Sequence, residues 1–90
     1  MTELLTGAQV MCRVLLEQGV DVMFGYPGGA IMPFYHALPE YRQLRHILVR
    51  HEQAAAHAAD AWARLTRGVG VAIVTAGPGI TDAVTGVANA

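Results

Sequence analysis

Ile47-Leu48-Val49-Arg50-His51-Glu52-Gln53-Ala54-Ala55-Ala56 opens a stretch that continues, alanine-rich, to Thr66. Ile47 to Val49 is a short run of branched apolar side chains, as in a buried strand. From Glu52 the composition changes. Alanine stands at 54, 55, 56, 58, 59, 61 and 63, and alanine is the strongest helix former. A strand that feeds a helix through three polar residues is one half of a βαβ unit. The alanines predict a helix whose backbone lies close to its neighbour, because methyl side chains cannot hold two elements far apart.

The rest of the chain repeats the pattern. Upstream, Thr6 and Gln9 have the spacing of a capping box. Ala8, Met11, Cys12 and Leu15 recur at helical intervals up to a stop at Gly19. Val20 to Phe24 reads as the first strand, ended by Gly25-Tyr26-Pro27-Gly28-Gly29. Ile31, Phe34, Tyr35 and Leu38 then mark a short helix over 30–38, with Pro33 in its first turn. Downstream, Gly68 is the expected end of the alanine helix, and Val69 to Thr75 reads as a third strand. Ala76-Gly77-Pro78-Gly79 and a fourth helix from about Ile80 follow. Strands alternating with helices through short turns predict an α/β fold, an open parallel sheet with flanking helices. Three strands leave two bare edges, and no helix stop closes Val87-Ala88-Asn89-Ala90, so the domain is expected to be incomplete.

Composition agrees. Hydrophobic residues make up 53% of the 90, ten more residues are glycine, and only 14% are charged, where about 25% is usual. So apolar a short chain is expected to need a neighbour. Six arginines, no lysine and seven acids give a net charge of −1 without a run of either sign, which argues against nucleic acid as a partner. Glycines and prolines break the longest uncharged stretch, Val22 to Pro39, so no membrane span is expected. Met1-Thr2-Glu3 lacks the positive start of a secretory signal, and one cysteine cannot pair internally. A cytoplasmic setting is the expectation. These 90 residues hold no serine and no lysine, which removes a G-x-S-x-G nucleophile and a Walker lysine. His51-Glu52 lacks the second histidine of a zincin, and His36, His46, His51 and His57 show no metal-ligand spacing, so no metal site is expected.

Ligands of open α/β sheets bind at the carboxyl ends of the strands. There the sequence places Tyr26-Pro27-Gly28-Gly29, then His51-Glu52, then Gly77-Pro78-Gly79. Glu52, between an apolar strand and an alanine helix, is expected to be poorly solvated. A desolvated carboxyl favours the protonated form, which can donate a hydrogen bond to a ring nitrogen. Its plainer role is to complement a helix N-terminus. Gly28-Gly29 either lets backbone approach a planar ligand or only makes a turn. Gly77-Pro78-Gly79 begins like G-x-G-x-x-G, yet its sixth position is Asp82, whose charge opposes a pyrophosphate.

Together, FGYPGGAI at 24–31, RHILVRHEQAAAHAADAWAR at 45–64 and GVAIVTAGPGITD at 70–82 resemble the amino-terminal, pyrimidine-binding domain of thiamine-diphosphate enzymes, most closely the acetolactate (acetohydroxyacid) synthase large subunits. On that resemblance residues 1–90 form the N-terminal part of such a domain. Glu52 is then the residue that hydrogen-bonds N1′ of the aminopyrimidine and so promotes activation of the thiazolium carbon. Pro27, Gly28 and Gly29 lie against the cofactor, with Thr75 and Pro78 around the pyrimidine.

The implied activity is decarboxylation of pyruvate and carboligation to a second 2-oxo acid, in branched-chain amino acid biosynthesis. The resemblance further implies a homo-dimer or higher homo-oligomer, a possible regulatory subunit, and Mg2+ and possibly FAD held by parts of a longer subunit. The fragment alone is expected to be inactive. Asp82, Ala76 and Trp62 stand where asparagine, serine and tyrosine are common. Two rival readings stay open: a related decarboxylase or carboligase of the oxalyl-CoA decarboxylase or benzaldehyde lyase kind, and a non-catalytic nucleotide-binding module built on Gly77-Pro78-Gly79.

Overall fold

A computed structural model describes residues 4–90; Met1, Thr2 and Glu3, whose charge entered the localisation argument, lie outside the described residues. The element order is α1 (Gly7–Glu17), β1 (Val22–Gly25), a 3-10 turn (Gly29–Ile31), α2 (Met32–Ala37), a second 3-10 turn (Leu38–Glu40), β2 (Arg45–Leu48), α3 (Glu52–Thr66), β3 (Ala72–Ile73) and α4 (Pro78–Asn89). The sheet is parallel, with β1 in the centre and order β2-β1-β3. Its register pairs Val22 with Arg45 and Gly25 with Leu48 on one side, and Phe24 with Ala72 and Gly25 with Ile73 on the other.

α1 starts at the expected capping box. Thr6 Oγ1 accepts from the Gln9 amide at 3.2 Å, and Gln9 Oε1 accepts from the Thr6 amide at 2.9 Å, which satisfies donors that a helix start leaves open. α3 runs over the alanine segment, with His51 as N-cap. Its stop differs from the reading of Gly68: Arg67 takes the left-handed conformation, at φ 58°. β3 is far shorter than 69–75, because only two of its residues pair with β1 and no strand flanks its other edge among the described residues. β2 begins two residues before Ile47, drawn into the ladder by pairing with Val22 and Met23. α4 begins at Pro78 rather than Ile80, since proline is at home in a first turn.

Alternation along β1 assigns the two faces of the sheet. Met23 belongs to a core of Cys12, Val20, Phe34, Leu44 and Ile73, covered by α1 and α2. Phe24 turns the other way and meets Trp62 of α3 edge to face, centroids 6.3 Å apart. α4 packs on α3 rather than on the sheet. Ala55, Ala56, Ala59 and Ala83 are buried there, and a Cβ on Gly86 would run into Ala56. The expected close approach of the alanine helix is therefore present. No described helix is long and apolar enough to cross a membrane.

Candidate functional site

The three turns read from the sequence meet at the carboxyl end of the sheet, and Thr75 is where they touch. A Cβ on Gly28 would lie 2.5 Å from Thr75 Cγ2 and 2.9 Å from Thr75 Oγ1, so only glycine lets the turn after β1 rest on the residue beyond β3. Gly79 is buried in the first turn of α4, and a Cβ added there would stand 3.1 Å from Thr75 Cγ2 and 3.7 Å from Glu52 Oε2. Gly28, Thr75, Gly79 and Glu52 thus form a continuous series of contacts across segments far apart in sequence. The turn into α4 is held by Gly77 at φ 73°, a conformation open mainly to glycine.

Glu52 is the first residue of α3 and only 9% exposed. Burying a carboxyl without a partner is costly. Among the described residues none donates a hydrogen bond to it, and neither oxygen is sealed completely from solvent. Helix N-terminal electrostatics favour an acid at this position, but a capping role alone is satisfied just as well in water. Here the carboxyl faces inward beside Gly79 with its acceptor capacity unused.

His51 and Asp82 stand next to it, both exposed. One ligand atom from each of His51, Glu52 and Asp82 falls within 4.8 Å of the others. The sequence offered no sign of this, because Asp82 comes from another helix. His51 Nδ1 accepts from the Gln53 amide at 3.0 Å, which puts the proton of the neutral ring on Nε2. Nε2 faces Asp82 Oδ2 at 3.8 Å. That tautomer aims an N–H, not a lone pair, at the acids, so the group is arranged as a polar rim beside Glu52.

Of the residues singled out from the sequence, Glu52, Gly28 and Thr75 come together. Pro27 is half-buried one residue before that contact, while Gly29 and Pro78 are exposed on either side of it. Gly79 was missed as a site residue, although a Cβ there would stand 3.7 Å from Glu52 Oε2. The only sequence signal for it was its place as the last glycine of Gly77-Pro78-Gly79. Cys12, read as a core residue, is fully buried, and burial, followed by the Glu40 carboxylate, pushes its thiol up from the ordinary value. It lies in the core under α1, away from these turns.

Residues 5–90 match the family described as thiamine pyrophosphate enzyme, N-terminal TPP binding domain. Similar proteins include the acetolactate synthase large subunit of Buchnera aphidicola subsp. Schizaphis graminum, 53% identical over 88 residues that make up 98% of this chain and 15% of that protein. The acetolactate synthase isozyme 3 large subunit of Escherichia coli K12 is 54% identical over 88 residues, with the same two shares. An acetolactate synthase of Mycobacterium bovis is 56% identical over 86 residues, 96% of this chain and 14% of that protein. The chain spans about 15% of the length of the curated relatives it matches.

Proposed function

Because the chain belongs to the family of thiamine pyrophosphate enzyme N-terminal TPP-binding domains, we propose that it is the pyrimidine-binding part of an acetolactate synthase large subunit and that Glu52 is its partner for the cofactor ring. One observation carries the reading: a nine-tenths-buried carboxyl with no protein donor, at the strand ends, next to close-packed glycines. Those residues fit the group. A flat heteroaromatic ring needs backbone without side chains along its path and one acid at a ring nitrogen. Gly29, where a Cβ would meet nothing within 4 Å, supplies the first and Glu52 the second, while Gly28 and Gly79 let the flanking turns close on Thr75.

When bound, thiamine diphosphate would supply an acidic carbon and an electron sink for the decarboxylation of a 2-oxo acid. The chain's own part is to bind and orient. Glu52 would make the hydrogen bond to the pyrimidine N1′. Thr75, wedged between Gly28 and Gly79, keeps the two turns at a fixed separation. Pro27 stiffens the turn after β1, and Pro78 does the same at the start of α4. His51 and Asp82, at the rim, keep the approach to Glu52 polar.

Pyruvate as donor substrate, a second 2-oxo acid as acceptor, and a homo-dimer or higher homo-oligomer belong to the same proposal, as does a cytoplasmic setting. So do a regulatory subunit, and Mg2+ and FAD bound by other parts of the polypeptide. Exposed Ile80, Val84 and Val87 on α4 and Leu48 on β2 suit a piece that the rest of a subunit covers. The test is Glu52→Gln in the complete subunit. Turnover should fall by about 10²- to 10⁴-fold, the range for loss of a positioned proton-transfer group, with thermal unfolding of the cofactor-free subunit little changed. Near wild-type turnover would overturn the reading.

A further inference from the structure

Tyr35 on α2 and His46 on β2 form a cross-link to which the reading above gives no role. Tyr35 Oη lies 2.7 Å from His46 Nε2 in a partly buried setting. The two rings meet edge to face at 5.0 Å and 75°, and Phe34 meets Tyr35 edge-on at 5.8 Å and 88°. Burial moves both toward their neutral forms: the His46 imidazole is pulled below its ordinary value and the Tyr35 phenol pushed above its own. A neutral imidazole accepts at one nitrogen only. The Tyr35 hydroxyl donates to Nε2 when the ring proton is on Nδ1 and accepts from Nε2–H in the other tautomer, so the bond is available in either.

The pair is seated over Gly25, the last residue of β1. A Cβ on Gly25 would stand 2.7 Å from Tyr35 Oη, 2.7 Å from His46 Nε2 and 2.8 Å from the Ile73 carbonyl oxygen. At the same place the Gly25 carbonyl accepts from the Val49 amide at 3.0 Å, and the Tyr26 amide donates to Ile73 O at 3.1 Å. All three strands are thus tied at the point from which the site is built. From Gly25 the chain passes into Gly28-Gly29 and returns through α2 to Tyr35. From His46 it runs along β2 to His51 and Glu52.

The geometry points to Tyr35 and His46 as positioning residues: their hydrogen bond, clamped over Gly25, sets the distance between the Gly28-Gly29 turn and the Glu52 carboxyl so that thiamine diphosphate meets both together. This rests on the assignment of Glu52 as the cofactor's partner. Neither side chain touches the cofactor. The bond ties the element that follows the turn to the strand that precedes Glu52, and its loss lets the two segments shift independently, by distances to which binding is sensitive.

The complete subunit is titrated with thiamine diphosphate in the presence of Mg2+, and the thermal unfolding of the cofactor-free form is recorded alongside. Tyr35→Phe keeps the ring and deletes the hydroxyl. It should weaken binding about 3- to 10-fold, the worth of one such bond, while unfolding shifts by no more than about 2–4 °C. His46→Gln, which can present an acceptor near the Nε2 position, should retain affinity within about twofold. His46→Leu should match Tyr35→Phe, and the double variant should be no weaker than either, since both changes remove one bond.

Tyr35→Phe binding the cofactor as tightly as wild type overturns the proposal, whatever happens to unfolding. Additive losses in the double variant also overturn it, by showing two separate roles. If His46→Leu does not fold, Tyr35→Phe and His46→Gln decide the matter. The two proposals fail differently. An active Glu52→Gln removes the site assignment and this inference with it; an inactive Glu52→Gln beside a fully binding Tyr35→Phe removes the brace alone.

Discussion

The core under α1 and α2 and the seam between α3 and α4 are packed on different principles. Under α1 and α2 the space is filled by large side chains, Phe34, Met23, Leu44 and Ile73, around Cys12 and Val20. Between α3 and α4, beyond the Phe24–Trp62 contact that covers the other side of the sheet, almost nothing fills it: Ala56, Ala59 and Ala83 are buried, and Gly86 abuts Ala56. Bulky cores can repack when one member changes, whereas a layer of methyls and hydrogens has no rotamers to adjust. The candidate site joins the two, with Glu52 starting the small-residue layer and Tyr35 reaching in from the bulky one.

That contrast can be broken most decisively at Phe34, which is 2% exposed. Phe34→Ala should destabilise the subunit by about 3–5 kcal/mol, read from denaturant unfolding, because its neighbours cannot close the whole gap. A loss well under that range would mean that the bulky layer collapses into the space.

Gly86→Ala tests the opposite layer, with a smaller effect and a telling sign. In an open helix, alanine for glycine gains about 1 kcal/mol. With Ala56 in the way, the same change should instead cost about 1–3 kcal/mol by overpacking, again from denaturant unfolding. A stabilised variant would show that α3 and α4 are not held at contact distance.

The smallest effect is a pH dependence confined to the bulky side. The folded-state pKa of His46 is depressed below 6.5 by burial. As pH falls through that value the unfolded chain takes up its proton first, so the stability held by neutral His46 is complete above about 6.5 and declines with acidification. For Tyr35, raised above 10.0, the decline comes as pH rises past 10. Unfolding midpoints from pH 5 to 7 should show a slope in wild type that His46→Gln flattens. An unchanged slope would place the acid sensitivity elsewhere.

Much of this was legible beforehand, for reasons particular to each residue. The capping box at Thr6 and the alanine run from Glu52 act within one or two helical turns, where spacing in sequence is spacing in space. Glu52 could be picked out because a strand and a helix bracket it. The extent of β3 could not be read, since pairing with β1 decides it. The contacts Gly28–Thr75, Gly79–Glu52 and Tyr35–His46 bring together residues 11 to 47 positions apart, and local pattern carries no information about such meetings. Arg67, not glycine, takes the left-handed turn, and nothing in the local pattern marked it out from Gly68.

Cys12, the one thiol in these 90 residues, is fully covered at the heart of the bulky layer. A maleimide cannot reach its sulfur unless α1 lifts, and the raised pKa slows attack further. This segment therefore carries its own clock: the labelling rate at this sulfur counts how often the first helix opens, with no probe needing to be introduced.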